Sequence, residues 1–366
     1  MSGEPHVAVI GAGIVGLAAA YSLRERGAAV RVYESGRPGN GQSGGEGRIF
    51  RHAHDDPRLA RFAVGSRAIW REWQERLGVE LVSADGVVAL GPPAERRLPV
   101  LDEVGGLRAR SIGPAEVAER MPLLADYSGS AVLDEDGGAI RTSAAIEALA
   151  GTLDDAVVTD EVIAIRPDGA GKVEVQAGGS RFRYRRVLVC AGRGTAQLAR
   201  GVGLSLPVRA AAHVRCTFAV RGDPPARLAC LQDGSGDFGE TGTYGTPAPG
   251  NYRYSVGLSQ TVEVQDDGSL LDPGALTELG DRAAAYVHRA LPGLDPEPLD
   301  YRHCWVTELP WGPDGVAVWE ADGMLFVAGH NLFKQAPALG RALAAAALGD
   351  GLPDDLRPEA RLGETP

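Results

Sequence analysis

The stretch HVAVIGAGIVGLAAAYSLRERGAAVRVYES, residues 6–35, determines the fold of this chain. Its β-branched start predicts a strand that ends at Gly11, and AGIVGLAAAYSLRERG predicts a helix closed by Gly27. AVRVYES then predicts a second strand, which ends at Glu34. Strand, helix and strand in this order are typical of a βαβ unit, with which many α/β domains begin.

Three glycines at the junction of the first strand and the helix have separate predicted roles. Gly11 permits the tight turn, Gly13 lets the backbone approach a pyrophosphate, and Gly16 lets the helix pack closely on the strand. The free N–H groups of the helix N-terminus bind the phosphate, and Glu34 stands at the spacing expected for an acid that binds ribose hydroxyls. The pattern predicts a dinucleotide site and by itself fits both FAD and NAD.

The composition excludes several classes of partner. The chain has 366 residues, a net charge of -11 and four cysteines without CxxC or zinc-ligand spacing. An acidic surface argues against nucleic acid and anionic membranes, and the apolar stretch 7–21 is too short to span a bilayer. Widely spaced cysteines indicate a reducing compartment. We therefore expect a cytoplasmic protein of bacterial composition, without a metal site, that is a monomer or a weak homo-oligomer.

The rest of the chain alternates between strand and helix patterns. VELVSADGVVAL (79–90) predicts a hairpin that turns at its Asp-Gly pair. Alternating polar and apolar residues at 213–220 and 251–258 predict strands of a half-exposed antiparallel sheet. The last long helix is predicted at 336–348. These patterns predict an α/β nucleotide-binding domain into which a sheet domain is inserted.

Five motifs occur along the chain in a fixed order: VIGAGIVGLAAAYSLRERGAAVRVYE, GGEGRIFRHAH, RRVLVCAGRGTAQL, YRHCWVT and LFVAGHNLFKQAPALG. Together they resemble the D-amino-acid-oxidase superfamily of flavoproteins, and within it the monomeric sarcosine oxidases and N-methyltryptophan oxidases. The resemblance covers most of the chain. It implies FAD as the cofactor and a small-molecule amine or amino acid, oxidised at a C–N bond, as the substrate. Oxygen or another molecule is then the electron acceptor.

The resemblance also refines the predicted fold class, which is α/β with an α+β insertion. It implies a Rossmann-like FAD-binding domain built from residues 1–80, 140–210 and 300–366. Residues 81–139 and 211–299 form the inserted substrate-binding domain, which is built on a large mixed or antiparallel sheet.

Three cations fall on functional positions of the resemblance. GRIFRHAH places Arg48 beside the flavin and Arg51 at the substrate carboxylate, and FKQAPALG places Lys334 at the second carboxylate-binding position. A guanidinium offers a planar fork of donors and an ammonium a point charge, so the two together suit one carboxylate. Arg48, Arg51 and Lys334 are therefore candidate catalytic residues.

The resemblance assigns further residues to the cofactor. The helix that contains Lys334 directs its N-terminus at the flavin, where a positive helix end stabilises the charge of the reduced ring. The positions that match cofactor-binding residues, in addition to the three glycines of the loop, Glu34 and Arg48, are Ile14, Val15, Ser43, Val162, Gly192, Cys304, Gly329 and Lys334.

Cys304 in the motif CWVT matches the cysteine that carries covalent FAD in sarcosine oxidases. The family chemistry is attack of its thiolate on the 8-methyl position of the flavin, which gives a thioether. The alternative for a lone cysteine is an inert buried residue. The resemblance therefore implies FAD attached through Cys304.

Two further positions depart from the family pattern. In TYGTPAPGNYRYSVGLSQT (243–261), Ser255 replaces the family lysine that promotes reaction with oxygen, and Gly44 replaces an active-site histidine. Arg253 lies two residues before Ser255 and hence on the same strand face, so it is a candidate for the missing charge. Ser255 and Arg253 complete the list of candidate catalytic residues.

These departures leave three hypotheses for function. The first is an amine or amino-acid oxidoreductase with a bulky, secondary or cyclic substrate, whose site includes aromatic residues among Tyr244, Tyr252, Tyr254, Trp305 and Trp311. The second is a flavin dehydrogenase or desaturase that acts on a carrier-bound or carboxylate-free substrate. The third is a flavin-binding homologue without catalytic activity.

Overall fold

A computed structural model describes residues 6–265 and 268–365 of the chain. Its strands, in chain order, are β1 (Val7–Ile10), β2 (Val30–Glu34), β3 (Gly47–Phe50), β4 (Val87–Leu90), β5 (Ala109–Ile112), β6 (Ala131–Asp134), β7 (Gly138–Arg141), β8 (Val157–Thr159), β9 (Val162–Pro167), β10 (Val173–Ala177), β11 (Ser180–Tyr184), β12 (Arg186–Val189), β13 (Arg209–Val220), β14 (Cys230–Asp233), β15 (Thr243–Pro247), β16 (Arg253–Leu258), β17 (Val262–Glu263), β18 (Leu294–Glu308), β19 (Val316–Ala321) and β20 (Met324–Gly329).

The helices are α1 (Ile14–Glu25), α2 (Pro57–Leu77), α3 (Pro92–Glu95), α4 (Leu98–Val104), α5 (Pro114–Arg120), α6 (Thr142–Thr152), α7 (Thr195–Arg200), α8 (Pro273–Ala290) and α9 (Leu332–Leu348). The predicted start of the last helix was therefore four residues too late. Pro337 lies inside α9 and reads as a helix start in the sequence, because proline favours the first turn.

The βαβ unit predicted from residues 6–35 is confirmed as β1, α1 and β2. It belongs to a six-stranded sheet of order β19-β20-β12-β1-β2-β8, in which only the edge strand β19 is antiparallel to its neighbour. Helix α1 is buried because it packs on this sheet and on α9. A Cβ on Gly340 of α9 would lie 2.6 Å from the backbone of Ala18, so glycine is needed for this close approach.

The second large sheet has nine strands and is mainly antiparallel. Its longest members, β13 and β18, pair antiparallel, and β13 also pairs with β16. The segments 213–220 and 251–258 are thus strands of an antiparallel sheet as predicted, but β16 is buried at every position except Arg253 rather than half-exposed. Helix α8 covers one face and contributes to a separate hydrophobic core. The mixed α/β fold class is thus confirmed.

The hairpin predicted at 79–90 is not formed. Only β4 is a strand there, and its partners are β6 and β14, which are distant in the sequence. Val82 makes a single bridge to Ile140 instead. Two small sheets, β9-β10-β11 and β3-β7, complete the architecture.

The division into two domains stays a prediction. The predicted segment 300–366 begins inside β18, and its last residue, together with 1–5 and 266–267, lies outside the described residues. No helix within 6–265 and 268–365 has the length and apolar character needed to cross a bilayer. The same residues contain no group of three or more side chains arranged to bind a metal ion.

Candidate active site

One cavity of about 1310 Å³ is lined by residues of both large sheets. Its wall contains the carboxyl ends of β1, β2 and β12, inward-facing residues of β13, β15 and β18, and the start of α9. This volume exceeds that of a typical pocket for one small ligand. The cavity therefore has room for a dinucleotide and a small second molecule.

The glycine loop forms one end of the cavity. Gly11 has a φ of +98°, and a Cβ on Gly16 would overlap the carbonyl oxygen of Gly11, so both positions require glycine. Gly13 precedes α1 in an extended conformation, and the Ile14 N–H donates to Ser43 Oγ at 2.9 Å. Gly11, Gly13, Ile14 and Ser43 line the cavity, whereas Gly16 acts in packing as predicted.

Glu34 ends β2 beside this loop. Its Oε2 accepts the Ala12 N–H at 2.8 Å and its Oε1 accepts the Gly36 N–H at 3.0 Å. These bonds fix the carboxylate at the cavity wall, and each oxygen has further lone pairs for hydroxyl donors. The arrangement suits a ribose diol.

The remaining residues predicted to bind the cofactor also line the cavity. They are Val15, Arg48, Val162, Gly192, Cys304, Gly329 and Lys334. Gly192 follows β12 with a φ of +56°, which favours glycine. The structure thus brings together residues that are far apart in the sequence.

Cys304 lies at a second end of the cavity and is 8% exposed. It pairs across the sheet with His213, whose Nδ1 lies 2.7 Å from the Tyr244 hydroxyl. Arg48 lies near this group, and its Nη2 donates to the carbonyl oxygen of Gly44 at 2.7 Å. Burial and the charge of Arg215 lower the pKa of Arg48 to about 10. We call this region the Cys304 end.

Arg51 and Lys334 converge on a carboxylate of the protein itself, whereas their predicted binding of a substrate carboxylate stays a prediction. Arg51 Nη2 donates to Asp314 Oδ2 at 2.7 Å, and Lys334 Nζ lies 3.7 Å from Oδ1. Asn331 Nδ2 donates to Oδ1 at 2.6 Å, and His54 Nδ1 lies 3.0 Å from Oδ2. We call these five residues the Asp314 cluster.

Burial determines the charges of the Asp314 cluster. Desolvation raises the pKa of Asp314, but Lys334 and Arg51 outweigh it and hold that pKa well below its usual value. Desolvation lowers the pKa of Lys334 to about 7, although Asp314 opposes the shift. The pKa of His54 falls to about 3 for the same reason, with help from Lys334 and Arg51. At neutral pH, the cluster therefore has a charge between zero and plus one.

Lys334 is held in place through its own backbone. Its carbonyl oxygen accepts hydrogen bonds from Ser66 Oγ at 2.6 Å and from Trp70 Nε1 at 3.1 Å, both on α2. The side chain is 4% exposed and lines the cavity in the first turn of α9. The positive end of this helix hence faces the cavity.

Ser255 and Arg253 are placed elsewhere. The Ser255 hydroxyl lies 2.9 Å from Thr217 Oγ1, and the side chain is not among the described residues that line the cavity. Arg253 is exposed and pairs with Glu46 at 2.8 Å. Neither residue reaches the cavity, because Ser255 bonds within the sheet and Arg253 points to solvent.

Two of the five aromatic residues considered for the site reach the cavity, namely Tyr244 and Trp305. Tyr254 is buried in the core below the sheet, and its hydroxyl donates to the Ala229 carbonyl oxygen at 3.1 Å. Tyr252 is 64% exposed. Part of the cavity wall is instead aliphatic and includes Val87, Ala89, Leu90, Leu101 and Val132.

Sequence reasoning missed three residues that shape the site: Asp314, Arg215 and Arg302. The sequence contains a signal for Arg215. Because it stands two residues from His213 on β13, the two side chains must lie on the same face of the sheet. Asp314 lies in the loop between β18 and β19, where only the folded chain brings it to Lys334.

The lining fits FAD on two observations. The loop at Gly11 and Gly13 presents backbone close to a helix N-terminus, as a pyrophosphate requires. At the Cys304 end, Arg215 is buried and Arg48 is half-buried, and neither has a carboxylate partner among the described residues, so they suit an electron-rich ligand.

Comparison with known proteins agrees with this fit. A family model described as FAD dependent oxidoreductase (DAO) matches residues 6–346. Glycine oxidase of Geobacillus kaustophilus is 27% identical over 350 residues, which cover 88% of this chain and 87% of that protein. Monomeric sarcosine oxidase of Arthrobacter sp. is 24% identical over 215 residues, 56% of this chain and 55% of that protein.

A solved structure of NikD, an amino acid oxidase essential for nikkomycin biosynthesis, has the same fold. It superposes with a TM-score of 0.82 at 21% identity, over 98% of this chain and 97% of NikD. The family match extends over nearly the whole chain and includes every segment that lines the cavity. This chain therefore belongs to the DAO family of FAD-dependent oxidoreductases.

Proposed function

We propose that this enzyme oxidises the C–N bond of a bulky secondary or cyclic amino acid. The observation that carries the proposal is that the Arg51–Lys334 cation pair and the glycine loop open into one cavity. FAD, when bound, accepts the hydride that leaves the carbon next to the amine nitrogen. The substrate becomes an iminium, loses its N–H proton and departs as an imine. Oxygen or another acceptor then takes the two electrons.

The cofactor is held along the cavity by residues that differ in chemistry. The Gly13 N–H and the α1 N-terminus bind the pyrophosphate, and Glu34 binds the ribose. Ser43 contacts the central part and Arg48 lies beside the flavin, while Val15, Val162 and Gly192 give the dinucleotide an apolar and closely fitting wall. Gly329 and the first turn of α9 border the flavin.

Cys304 is the proposed point of covalent attachment. The Cys304→Ser variant is expected to release all yellow colour into the supernatant after acid precipitation, whereas the wild-type pellet stays yellow. Cys190 provides the matched control, because it lines the same cavity but burial raises the pKa of its thiol to about 12. Cys190→Ser is expected to keep its flavin in the pellet. A colourless wild-type pellet would contradict the tether.

The substrate carboxylate is anchored by the Asp314 cluster. With Lys334 protonated, Arg51 and Lys334 contribute two positive charges and Asp314 one negative charge, which leaves one positive charge for a ligand. A substrate carboxylate would neutralise it. The aliphatic wall described above then accommodates the bulky part of the substrate, and Arg51 supplies the directional donors.

Anchoring by Lys334 makes binding depend on pH. Because the Lys334 pKa is about 7, the ammonium is present below this pH and is lost as the pH rises. The dissociation constant of an aromatic carboxylate without an amine group is expected to increase by up to about tenfold per pH unit above pH 7. Changes in the flavin absorbance spectrum on titration between pH 6 and 9 measure it.

The Lys334→Arg variant is the control for this dependence. Arginine keeps its charge throughout the range, so its dissociation constant is expected to stay nearly constant between pH 6 and 9. A wild-type dissociation constant that does not change over this range would show that Lys334 does not bind the carboxylate.

Asp314 favours a second candidate function. Because it already neutralises one of the two cations, the same cluster suits an amine without a carboxylate, oxidised by a flavin dehydrogenase or desaturase. Anaerobic mixing with matched pairs of amino acids and their decarboxylated amines separates the two functions through the rate of flavin bleaching. If no amine of either kind bleaches the flavin, the chain is instead a flavin-binding homologue without catalytic activity.

A further inference from the structure

Arg215 has no role in the mechanism described so far, although it is buried in the cavity wall. It lies on β13, is 4% exposed, and faces Gly257 across the sheet on β16. Its Nη1 donates to the carbonyl oxygen of Gly47 at 2.7 Å, and Arg48 Nη1 donates to the same oxygen at 3.3 Å. Two guanidinium groups thus share one carbonyl oxygen.

A third arginine joins this pair. Arg302 on β18 is the direct cross-strand partner of Arg215, and its guanidinium lies where a side chain at Gly44 would be. A Cβ on Gly45 would overlap Arg215 Nη2 and lie 3.0 Å from Arg48 Nη1. The glycines at 44 and 45 therefore leave the space that the arginine cluster (Arg48, Arg215 and Arg302) occupies.

The arginine cluster lacks a protein counter-charge. Throughout 6–265 and 268–365, none of its members forms an ion pair with a carboxylate, and the bonds of Arg48 and Arg215 go to backbone carbonyl oxygens. Like charges on directly opposed strand positions repel, and Arg215 is a buried charge without an acidic partner, which is costly, whereas Arg48 and Arg302 are half-buried. A negative charge that arrives with a ligand would therefore stabilise the cluster.

We infer that Arg215, together with Arg48 and Arg302, is the counter-charge for the flavin when it is reduced. This inference rests on the proposed position of the flavin beside Cys304. The hydride that leaves the substrate carbon brings one negative charge and two electrons into the cavity, so the substrate is oxidised and the cofactor reduced. Fixed guanidinium groups stabilise that charge without reorganisation. The positive charge absent at Ser255 on β16 is thus supplied from β13, which pairs with β16, and from β18, which pairs with β13.

The test compares Arg215→Met and Arg215→Lys as holoproteins, with no substrate required. The first readout is the midpoint potential of the bound FAD. The second is the dissociation constant of inorganic sulfite, an anionic probe whose binding bleaches oxidised flavin. Arg215→Met is expected to lower the potential and to weaken sulfite binding by about 10- to 100-fold, and Arg215→Lys to restore most of both.

Arg221→Met is the matched control, because Arg221 directly follows β13 outside the cavity and its replacement is expected to change neither value. A potential and a sulfite dissociation constant equal to wild type in Arg215→Met would overturn the inference. If that variant does not fold, Arg215→Gln undergoes the same comparison. Neither readout involves an amine, so this inference can fail while amine oxidation stands, and amine oxidation can fail while the inference stands.

Discussion

Replacing Arg51 by methionine is expected to lower kcat/KM for the amino-acid substrate by about 100- to 1,000-fold, since loss of one member of a buried charge pair costs ~3–4 kcal/mol. Methionine replaces the aliphatic stem of the side chain but removes both the charge and the directional donors. Asp314 then retains only Lys334 as a cationic partner, and the positive charge available to a substrate carboxylate disappears.

The same variant is expected to shift the pH dependence of carboxylate binding. Arg51 contributes to the low pKa of Lys334, so its removal raises that pKa and moves the loss of binding to higher pH. A purely structural role of Arg51 gives no such shift. Titration of both proteins with an aromatic carboxylate between pH 6 and 9 measures the pH at which binding is lost.

The control for Arg51 is Arg61→Met, which removes an exposed arginine paired with Glu103 outside the cavity. Its kcat/KM is expected to equal that of the wild type. If Arg51→Met oxidises amino acids as well as the wild type does, carboxylate anchoring fails. The carboxylate-free function is supported instead if two further results hold. The wild type oxidises decarboxylated amines faster than the matching amino acids, and Arg51→Met oxidises these amines as fast as the wild type does.

Replacing Gly16 by alanine is expected to lower the free energy of unfolding by about 3 kcal/mol, because overpacking a tight contact forces the backbone apart. The added methyl group would overlap the Gly11 carbonyl oxygen, so α1 must move away from β1. This displacement also opens the loop that binds the pyrophosphate. The purified variant is therefore expected to contain little flavin. The ratio of the flavin absorbance to the protein absorbance measures this content.

Gly65→Ala provides the matched control for this effect. Gly65 lies inside α2 with open space around its Cβ position, so the same substitution is expected to raise the free energy of unfolding by about 0.5–1 kcal/mol. Thermal unfolding of both variants gives the comparison. Equal stability of Gly16→Ala and the wild type would contradict the proposed close packing of helix on strand.

Local patterns predicted the parts of the fold that depend on neighbours in sequence. The βαβ unit at 6–35 was predicted correctly because its glycines, its helix and its strands are all set by short-range geometry. The hairpin at 79–90 was wrong because β4 finds its partners on β6 and β14. Strand pairing over such distances depends on which faces the whole chain buries, and one short apolar run does not contain that information.

The residues of the candidate site could likewise be predicted only where they stand in a local motif. Motifs predicted that Arg51, Lys334 and Cys304 would reach one cavity, because each stands in a stretch with a recognisable pattern. Asp314 and Arg302 are ordinary charged residues in the sequence. Their importance arises from packing. It places Asp314 between Arg51 and Lys334, and it brings Arg302 beside Arg215 without an acidic partner among the described residues.

The order of the strands in the parallel sheet has a consequence for biosynthesis. β1 leaves the ribosome well before the elements that it packs with: its neighbour β12 begins at Arg186, the next strand β20 begins at Met324, and α9 packs on α1 only after Leu332 has been added. The nucleotide cradle is therefore assembled only after Leu332 and the rest of α9 have been synthesised, long after β1 itself. The nascent chain must keep an apolar N-terminal helix from aggregating until then, and capture of the coenzyme is necessarily a late event in maturation.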